Sequence, residues 1–247
     1  MSAQPGVDTR GLVALGDSIT RGSGEAMLGL RMQSWALWLA EALCLPYTCL
    51  ARDGARAPDA LRSQIPRLNG PYALACVYLG VNDVRDPAWD GGEFAHAYEQ
   101  TVARVAGHAR TLLLAKLPRE IGVPPAPRGA IEQANRTIEL SGERNGALVL
   151  ELDSLHGSEL VLPDRVHLTA RGQAHLALLA HRRLSAAADA HALDVLAADR
   201  HGGLADLHEA LRPLSQRARL RYLLGAHALA QLRDWRRRAL ESMGWGW

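Results

Sequence analysis

Five short apolar runs, separated by stretches with helical periodicity, constrain the fold of this 247-residue chain more than any other feature. The first run is too short for a helix and too apolar for a loop, so it fits a strand that is buried on both faces. The runs span residues 12–15, 46–50, 73–79, 111–115 and 148–152. Strands that alternate with helices predict an α/β fold, a flavodoxin-like, doubly wound, five-stranded parallel sheet with helices on both faces.

The stretches between the runs place apolar side chains at steps of three and four residues, the spacing of amphipathic helices. Residues 33–44 carry Trp35 and Trp38 in this pattern, and we expect both tryptophans in the core. The other predicted helices run from residue 58 to about 66, around 98–109, over 129–144 and from 170 to 184.

The composition, with 48% hydrophobic and 22% charged residues, is that of an ordinary globular chain. A formal net charge of +2 implies no general attraction to nucleic acid, so no nucleic-acid partner is expected. Cys44, Cys49 and Cys76 have no metal-binding spacing and cannot all pair, which favours a reducing compartment. Residues 1–10 lack the apolar core of a signal peptide, and no segment offers about 18 uninterrupted apolar residues. The sequence therefore predicts a soluble, cytoplasmic protein without a transmembrane segment.

Small and polar residues follow three of the predicted strands. Ser18 comes after the first strand, Gly54 after the second and Asn82 after the third. Because the carboxyl ends of parallel strands meet at one edge of a sheet, these residues are predicted to gather at one site. Ser18 in this position can act as a nucleophile beside backbone N–H groups that favour an anion. The alternative is a serine that only caps a helix.

A serine is a weak nucleophile until a base removes its proton, and the base needs an acceptor for its other ring nitrogen. The segment from Asp164 to His167, in a loop after the fifth predicted strand, supplies both groups. We therefore expect Ser18 to attack the carbonyl group of an acyl compound, His167 to take and return the proton, and Asp164 to orient the imidazole. The competing candidates are Ser23 as the nucleophile, Asp153 as the acid and His156 as the base.

Four motifs in this order resemble those of the SGNH, or GDSL-type, hydrolases, a family of esterases and lipases. The first block reads Gly16-Asp17-Ser18-Ile19-Thr20, and Gly54, Asn82 and the Asp164 to His167 segment follow it. The resemblance implies an SGNH hydrolase-like fold and a serine carboxylester hydrolase that forms an acyl-enzyme on Ser18, with no cofactor and no metal. It also implies an oxyanion hole made by the backbone N–H groups of Ser18 and Gly54 and the side-chain amide of Asn82.

The expected substrate is a small-molecule ester, thioester or acylated metabolite, because a chain without a secretory signal fits bulk lipid digestion poorly. Two alternatives stay open at the level of the sequence. An acyltransferase would use the same acyl-enzyme but pass the acyl group to an alcohol. A non-catalytic binding domain would instead work through basic helices at the C-terminus.

The composition changes near residue 186, which divides the chain into a predicted hydrolase domain over residues 1–185 and a basic helical extension over residues 186–247. Residues 210–247 contain eight arginines against two acidic residues, Asp234 and Glu241. Apolar residues recur from Leu220 to Ala239 at steps of four and three, the pattern of an amphipathic helix. This helix can pack on the hydrolase domain, form a homodimer contact, or bind an anionic partner or a membrane surface.

Overall fold

The computed structural model describes residues 11–27, 30–191, 203–216 and 218 of the chain. The strands in this part of the chain are β1 (Leu12–Gly16), β2 (Gly24–Glu25), β3 (Tyr47–Cys49), β4 (Tyr72–Tyr78), β5 (Ala109–Ala115), β6 (Leu148–Leu150) and β7 (Leu168–Thr169). Five of them form the main sheet in the order β3-β1-β4-β5-β6, and every neighbouring pair is parallel. This is the flavodoxin-like, doubly wound order, so the predicted fold class is confirmed.

Helices connect the strands and cover the sheet. They are α1 (Ser18–Arg21), α2 (Trp35–Ala42), α3 (Ala57–Ser63), α4 (Gly91–Ala106), α5 (Arg128–Asn145), α6 (Ala170–His191) and α7 (Gly203–Ala210), with a 3-10 turn at Ile65–Arg67. Helix α2 packs against α6 and α7, and α4 packs against α3 and α5. These two groups leave no face of the sheet open, since every residue of β1 and β4 is buried. Burial on both faces explains why the apolar runs of the sequence do not alternate with polar residues.

The predicted helices agree with the structure except at some of their ends. Trp35 and Trp38 are buried in the core, as predicted. Pro66 lies in the 3-10 turn that follows α3, so the helix does end before it. The helix predicted around residues 98–109 stops at Ala106, because Gly107 turns the chain into β5, which begins at Ala109.

The short strands β2 and β7 pair in parallel as a separate sheet that the sequence does not predict. Gly24 pairs with Leu168, and Glu25 pairs with Thr169. A side chain at residue 24 would place its Cβ 2.1 Å from the carbonyl oxygen of Leu168, so only glycine allows this approach. The pairing joins the segment that follows Ser18 to the segment that follows His167.

The predicted boundary between residues 185 and 186 falls within α6, which continues to His191. Helix α7 packs on α2 and α6 and buries its Leu207. The apolar stripe from Leu220 to Ala239 and the arginines around it lie outside the described residues, and the division into two domains stays a prediction. Among the helices of the described residues, none combines the length and the apolar character needed to cross a membrane.

The side chain of Gln64 forms hydrogen bonds with the last residue of β1, at the position where β3 no longer pairs with that strand. Its side chain is fully buried, and its amide meets both backbone groups of Gly16. Gln64 Oε1 accepts from the Gly16 N–H at 3.0 Å, and Gln64 Nε2 donates to the Gly16 carbonyl oxygen at 2.8 Å. Because β3 ends at Cys49, the side chain of Gln64 supplies the acceptor that a longer strand would have given to this N–H.

Gln64→Met is expected to lower the free energy of unfolding by about 1–3 kcal/mol, because the Gly16 N–H then stays buried without an acceptor. Methionine keeps nearly the same length, so little cavity is made. Unfolding in urea measures the change. Gln100→Met is the control, since Gln100 is exposed on α4 and exposed substitutions change stability by less than about 0.5 kcal/mol. Equal losses in the two variants would contradict the role given to Gln64.

Candidate active site

Ser18 is the first residue of α1, just beyond the carboxyl end of β1. The residue before it, Asp17, caps this helix, and its Oδ1 accepts from the backbone N–H of Ile19 at 2.9 Å. The alternative in which Ser18 serves only as a helix cap is therefore wrong. With the cap supplied by Asp17, the hydroxyl of Ser18 is left to contact other side chains.

Three side chains that lie far apart in the sequence form one hydrogen-bonded line. Ser18 Oγ lies 3.0 Å from His167 Nε2, although the two residues are 149 positions apart. On the other side of the ring, His167 Nδ1 lies 2.7 Å from Asp164 Oδ2. When Nδ1 carries the ring proton and donates a hydrogen bond to Asp164, Nε2 has no proton and can accept the proton of the serine. The structure thus brings the three predicted catalytic side chains together.

Backbone hydrogen bonds fix the loop that carries Asp164 and His167. Asp164 Oδ1 accepts from the N–H groups of Val166 and His167 at 2.9 and 3.0 Å, while Oδ2 faces the imidazole. Arg165, between the two, has a φ of 54°, a left-handed conformation that turns the chain sharply. A single carboxylate therefore holds both the backbone of the loop and the ring, and this aims His167 at Ser18.

The pKa of His167 is raised and the pKa of Asp164 is lowered by the contact between them. The hydrogen bond to Asp164 raises the pKa of His167 above its ordinary value, and partial burial opposes this rise. Partial burial raises the pKa of Asp164, but the hydrogen bonds from the imidazole and from two backbone N–H groups outweigh it, so this pKa lies below its ordinary value. Asp164 therefore stays charged and favours the imidazolium form of His167, which is what a general base requires.

The amide of Asn82 lies between the turn that carries Ser18 and the turn that carries Gly54. Asn82 Nδ2 donates to the carbonyl oxygen of Ala55 at 3.1 Å and to Asp17 Oδ2 at 3.3 Å. Gly54, the residue before Ala55, is exposed and has a φ of 70°, which suits glycine. The two contacts of the amide thus gather Asn82 and both turns at the carboxyl edge of the sheet.

Two buried carboxyl groups, those of Asp17 and Asp83, adjoin Ser18 and Asn82 in the sequence. Burial raises the pKa of Asp17 to about 7, against the hydrogen bond from Ile19 and the charge of His167, which lower it. Burial also raises the pKa of Asp83 to about 6, and Asp83 Oδ1 accepts from the N–H of Ala57 at 3.0 Å. Each carboxyl group therefore accepts a hydrogen bond from the backbone of a neighbouring turn. Within the described residues, no three histidine, cysteine, aspartate or glutamate side chains lie close enough together to hold a metal ion.

A buried glutamine ties the serine turn to the helix that follows the His167 loop. Gln173 Nε2, on α6, donates to the carbonyl oxygen of Ile19 at 3.0 Å, and Gln173 Oε1 accepts from the N–H of Trp35 at 2.8 Å. Neither Gln173 nor Gln64 is among the site residues predicted from the sequence. One feature of the sequence points to Gln173: its amide adjoins a helix face made mostly of alanine. A polar group buried on such a face needs a hydrogen-bond partner.

Two of the competing candidates, Ser23 and Asp153, contact other groups, and the third, His156, is exposed. Ser23 Oγ donates to the carboxylate of Asp53 at 3.3 Å. Asp153 forms a bidentate ion pair with Arg119, with both N–O distances at 2.9 Å. The spacing between Asp153 and His156 equals that between the proposed acid and base, so only the fold separates the two pairs.

A second contact between a serine and a histidine lies away from this line. Ser154 Oγ is 3.2 Å from His175 Nε2. Partial burial lowers the pKa of His175, and the charges of Arg182 and Arg171 lower it further. No carboxylate of the described residues pairs with this ring. His175 therefore lacks the acceptor that would stabilise its cation during proton transfer.

A doubly wound α/β sheet with a serine, an imidazole and a carboxylate in line at its carboxyl edge is the arrangement of a serine hydrolase. The model of the GDSL-like lipase/acylhydrolase family matches residues 14–175. The chain belongs to this family, and it is an SGNH-type serine hydrolase that acts on ester bonds.

Solved structures share the fold at low sequence identity. LAE5, an alpha/beta hydrolase enzyme from the metagenome of Lake Arreo, Spain, is 21% identical, with a TM-score of 0.56 over 70% of this chain and 94% of that chain. Axe2, an acetylxylan esterase from Geobacillus stearothermophilus, is 18% identical, with a TM-score of 0.56 over 72% of this chain and 95% of its own. TesA is 20% identical, with a TM-score of 0.58 over 71% of this chain and 98% of its own. A comparison with curated proteins gave no match.

Proposed function

We propose that this protein hydrolyses an acyl ester of a small molecule through an acyl-enzyme on Ser18. The observation that carries the proposal is the line from Ser18 Oγ to His167 Nε2 at 3.0 Å and from His167 Nδ1 to Asp164 Oδ2 at 2.7 Å. His167 takes the hydroxyl proton as Ser18 attacks the carbonyl carbon, and then gives that proton to the leaving alcohol. The same imidazole then takes a proton from water, which attacks the acyl-enzyme; the bond between the acyl carbon and Ser18 Oγ breaks, the acid is released, and His167 returns the proton to Oγ.

The negative charge on the carbonyl oxygen needs hydrogen-bond donors during each attack. The proposed donors are the backbone N–H groups of Ser18 and Gly54 and the amide of Asn82. Asn82 Nδ2 contacts Asp17 at 3.3 Å, longer than most N–H···O bonds, and this N–H is the one that turns to the substrate. Asp17 thus holds the amide close to its working position until the oxyanion forms.

The surroundings of the site favour a polar ester over a lipid. The side chains of His167 and Asp164 are 33% and 48% exposed, so the substrate can approach from solvent. A cavity of about 330 Å³ opens beside the Gly54 turn, and its polar lining side chains are Arg52, Asp53, Asp59, Arg62 and Ser63. A long acyl chain that entered this cavity would bury its polar groups against hydrocarbon. Acetyl esters of polar carriers are the first substrates to test, and one solved relative is an acetylxylan esterase.

The test joins turnover to detection of the intermediate. Acetyl, butyryl, octanoyl and aryl p-nitrophenyl esters and acyl thioesters are supplied with and without an acceptor alcohol. We expect acid release from the short esters and, after rapid acid quenching, a mass increase of one acyl group on the peptide that contains Ser18. The Ser23→Ala variant is the control, and it should label as the unchanged protein does. Transfer to the alcohol with no hydrolysis, or a label outside Ser18, would overturn the proposal.

Asn82→Ala is expected to lower kcat by about 10²- to 10³-fold and to change KM little, because an oxyanion donor acts in the transition state more than on the bound ester. Steady-state kinetics on one short ester measures both constants. Asn145→Ala is the control: its amide donates to the Ser141 carbonyl oxygen at 2.8 Å, at the far end of α5. A rise in KM at unchanged kcat would assign Asn82 to substrate binding instead.

The pH profile of kcat/KM is expected to rise through an inflection above about 6.5, the pKa of an unperturbed histidine. His167 works only when neutral, and its hydrogen bond to Asp164 raises its pKa, so activity falls as the pH drops below that raised value. Asp17 titrates in the same region and interacts with His167, so the inflection belongs to the pair. His175→Gln should leave the inflection in place, whereas an inflection at or below about 6.5 would contradict the assignment.

A further inference from the structure

Arg85 lies at the edge of the active site, in the loop that follows β4, three residues after Asn82. Its side chain is exposed but does not extend freely into solvent. It crosses Gly122, and a Cβ at residue 122 would stand 2.9 Å from Arg85 Nε. Gly122 has a φ of 84°, and its N–H donates to the carbonyl oxygen of Arg165 at 2.8 Å, so this segment is joined to the loop of the proposed base. The absence of a side chain at residue 122 makes room for the guanidinium beside that loop.

The guanidinium of Arg85 has no ion-pair partner among the described residues. Four other arginines near the carboxyl edge of the sheet are paired: Arg21 with Asp53, Arg56 with Asp86, Arg119 with Asp153, and Arg165 with Glu120. Arg52, beside the Gly54 turn, also lacks a carboxylate partner within the described residues. The edge therefore presents two arginines without an ion-pair partner among the described residues, and one of them lies beside the Gly122 segment that hydrogen-bonds to the loop of the proposed base.

The charge of Arg85 works against the proposed chemistry when no substrate is bound. The hydrogen bond to Asp164 raises the pKa of His167, partial burial lowers it, and the charges of Asp164 and Asp17 raise it further. The charge of Arg85 lowers this pKa and is the smallest of these effects. The imidazolium of His167 forms as the serine attacks, so a fixed positive charge nearby disfavours that state. An anionic group bound to the guanidinium would cancel this effect and would place the ester beside Ser18.

We propose that Arg85 binds an anionic group of the substrate, a carboxylate or a phosphate carried by either the acyl group or the alcohol. This inference rests on the proposed ester hydrolysis and names its substrate class. A guanidinium suits the role because its planar N–H groups form two parallel hydrogen bonds with either anion and stay charged at every working pH. The anion then anchors the substrate on the His167 side of the site.

The experiment compares two pairs of esters that differ in one charge. The p-nitrophenyl half-ester of succinic acid against p-nitrophenyl butyrate places the anion on the acyl group. Acetoxybenzoate against its methyl ester places the anion on the leaving group. For each pair, the ratio of kcat/KM for the anionic ester to that for the neutral ester is measured in the unchanged protein and in Arg85→Gln, Arg85→Lys, Arg52→Gln and Arg144→Gln.

Arg85→Gln is expected to lower this ratio by about 10- to 100-fold in one of the two pairs, which also tells which part of the substrate carries the anion. Arg85→Lys should lose less, because it keeps the charge without the paired geometry. Arg144→Gln removes the same charge on α5, where Arg144 pairs with Glu99, and should leave the ratio unchanged. An unchanged ratio in Arg85→Gln for both pairs, or an equal loss in Arg144→Gln or Arg52→Gln, would overturn the inference.

A binding measurement separates this inference from the proposed function. Calorimetry with the Ser18→Ala variant, alone and combined with Arg85→Gln, gives the affinity for each ester without turnover. Tighter binding of an anionic ester that Arg85→Gln removes supports the subsite even if no ester is hydrolysed. Equal affinities in the two proteins overturn the subsite even if Ser18-dependent hydrolysis is observed.

Discussion

Ser18→Ala is expected to lower kcat for a short ester by roughly 10⁵- to 10⁶-fold, the scale found when a serine hydrolase loses its nucleophile. Without Oγ no acyl-enzyme can form, and His167 has no hydroxyl to deprotonate at 3.0 Å. The rate that remains reflects the other donors of the site acting on a water molecule. Steady-state kinetics with p-nitrophenyl acetate measures the loss, with the spontaneous hydrolysis rate subtracted.

Two serines serve as matched controls for this prediction. Ser23 lies five residues further along the chain and donates to Asp53, and Ser154 contacts His175 at 3.2 Å. Ser23→Ala and Ser154→Ala should each keep kcat within about threefold. Ser18→Ala should also keep the stability of the protein, since the helix cap is Asp17 and is not altered. Activity of Ser18→Ala within about tenfold of the unchanged protein would end the assignment of Ser18 as the nucleophile.

The sheet could be predicted because each of its strands lies in a mainly apolar run of the sequence. A strand such as β4, buried at all seven positions, has no polar face, and its sequence shows this directly. The site followed from topology: residues after β1, β3 and β4 had to meet at the carboxyl edge of a doubly wound sheet. Ser18, the Gly54 turn and Asn82 do meet there.

The pairing of β2 with β7 could not be predicted, because two residues carry no periodicity and the pairing depends on the approach of Gly24 to Leu168. Gln64 and Gln173 were missed for a related reason. Their amides contact backbone 48 and 154 positions away, and such partners exist only in the folded chain. The contact between Asp17 and Asn82 is equally long in range, at 65 positions. These contacts orient the site, and they are set by tertiary structure.

The spacing alone does not separate the predicted acid and base, Asp164 and His167, from the competing pair, Asp153 and His156. Asp153 and His156 stand three residues apart, as Asp164 and His167 do. In the structure Asp153 is held by Arg119, whereas Asp164 Oδ2 faces the ring of His167. An aspartate neutralised by an arginine cannot also stabilise an imidazolium to the same extent. The distinction is therefore electrostatic and appears only when the loops are folded.

Asp164→Asn is expected to lower kcat by about 10⁴-fold while the fold is kept. Asparagine can keep its carbonyl oxygen on the N–H groups of Val166 and His167, where Asp164 Oδ1 now accepts. Its amide nitrogen then faces His167 Nδ1 and donates to it, which forces the ring proton onto Nε2. An imidazole with its proton on Nε2 cannot accept the proton of Ser18, so the base is lost although every residue stays in place.

Asp153→Asn is the matched control, because Asp153 and His156 have the same spacing as Asp164 and His167 and the substitution is the same. It breaks only the exposed ion pair between Asp153 and Arg119. It should leave kcat within about threefold, because exposed ion pairs contribute little. In Asp164→Asn the remaining activity should also have its pH inflection at a lower value than in the unchanged protein, because the hydrogen bond that raises the pKa of His167 is gone. A loss below about tenfold, or an inflection that does not move, would mean that Asp164 does not orient the base, and Ser18 and His167 would then act without a third group.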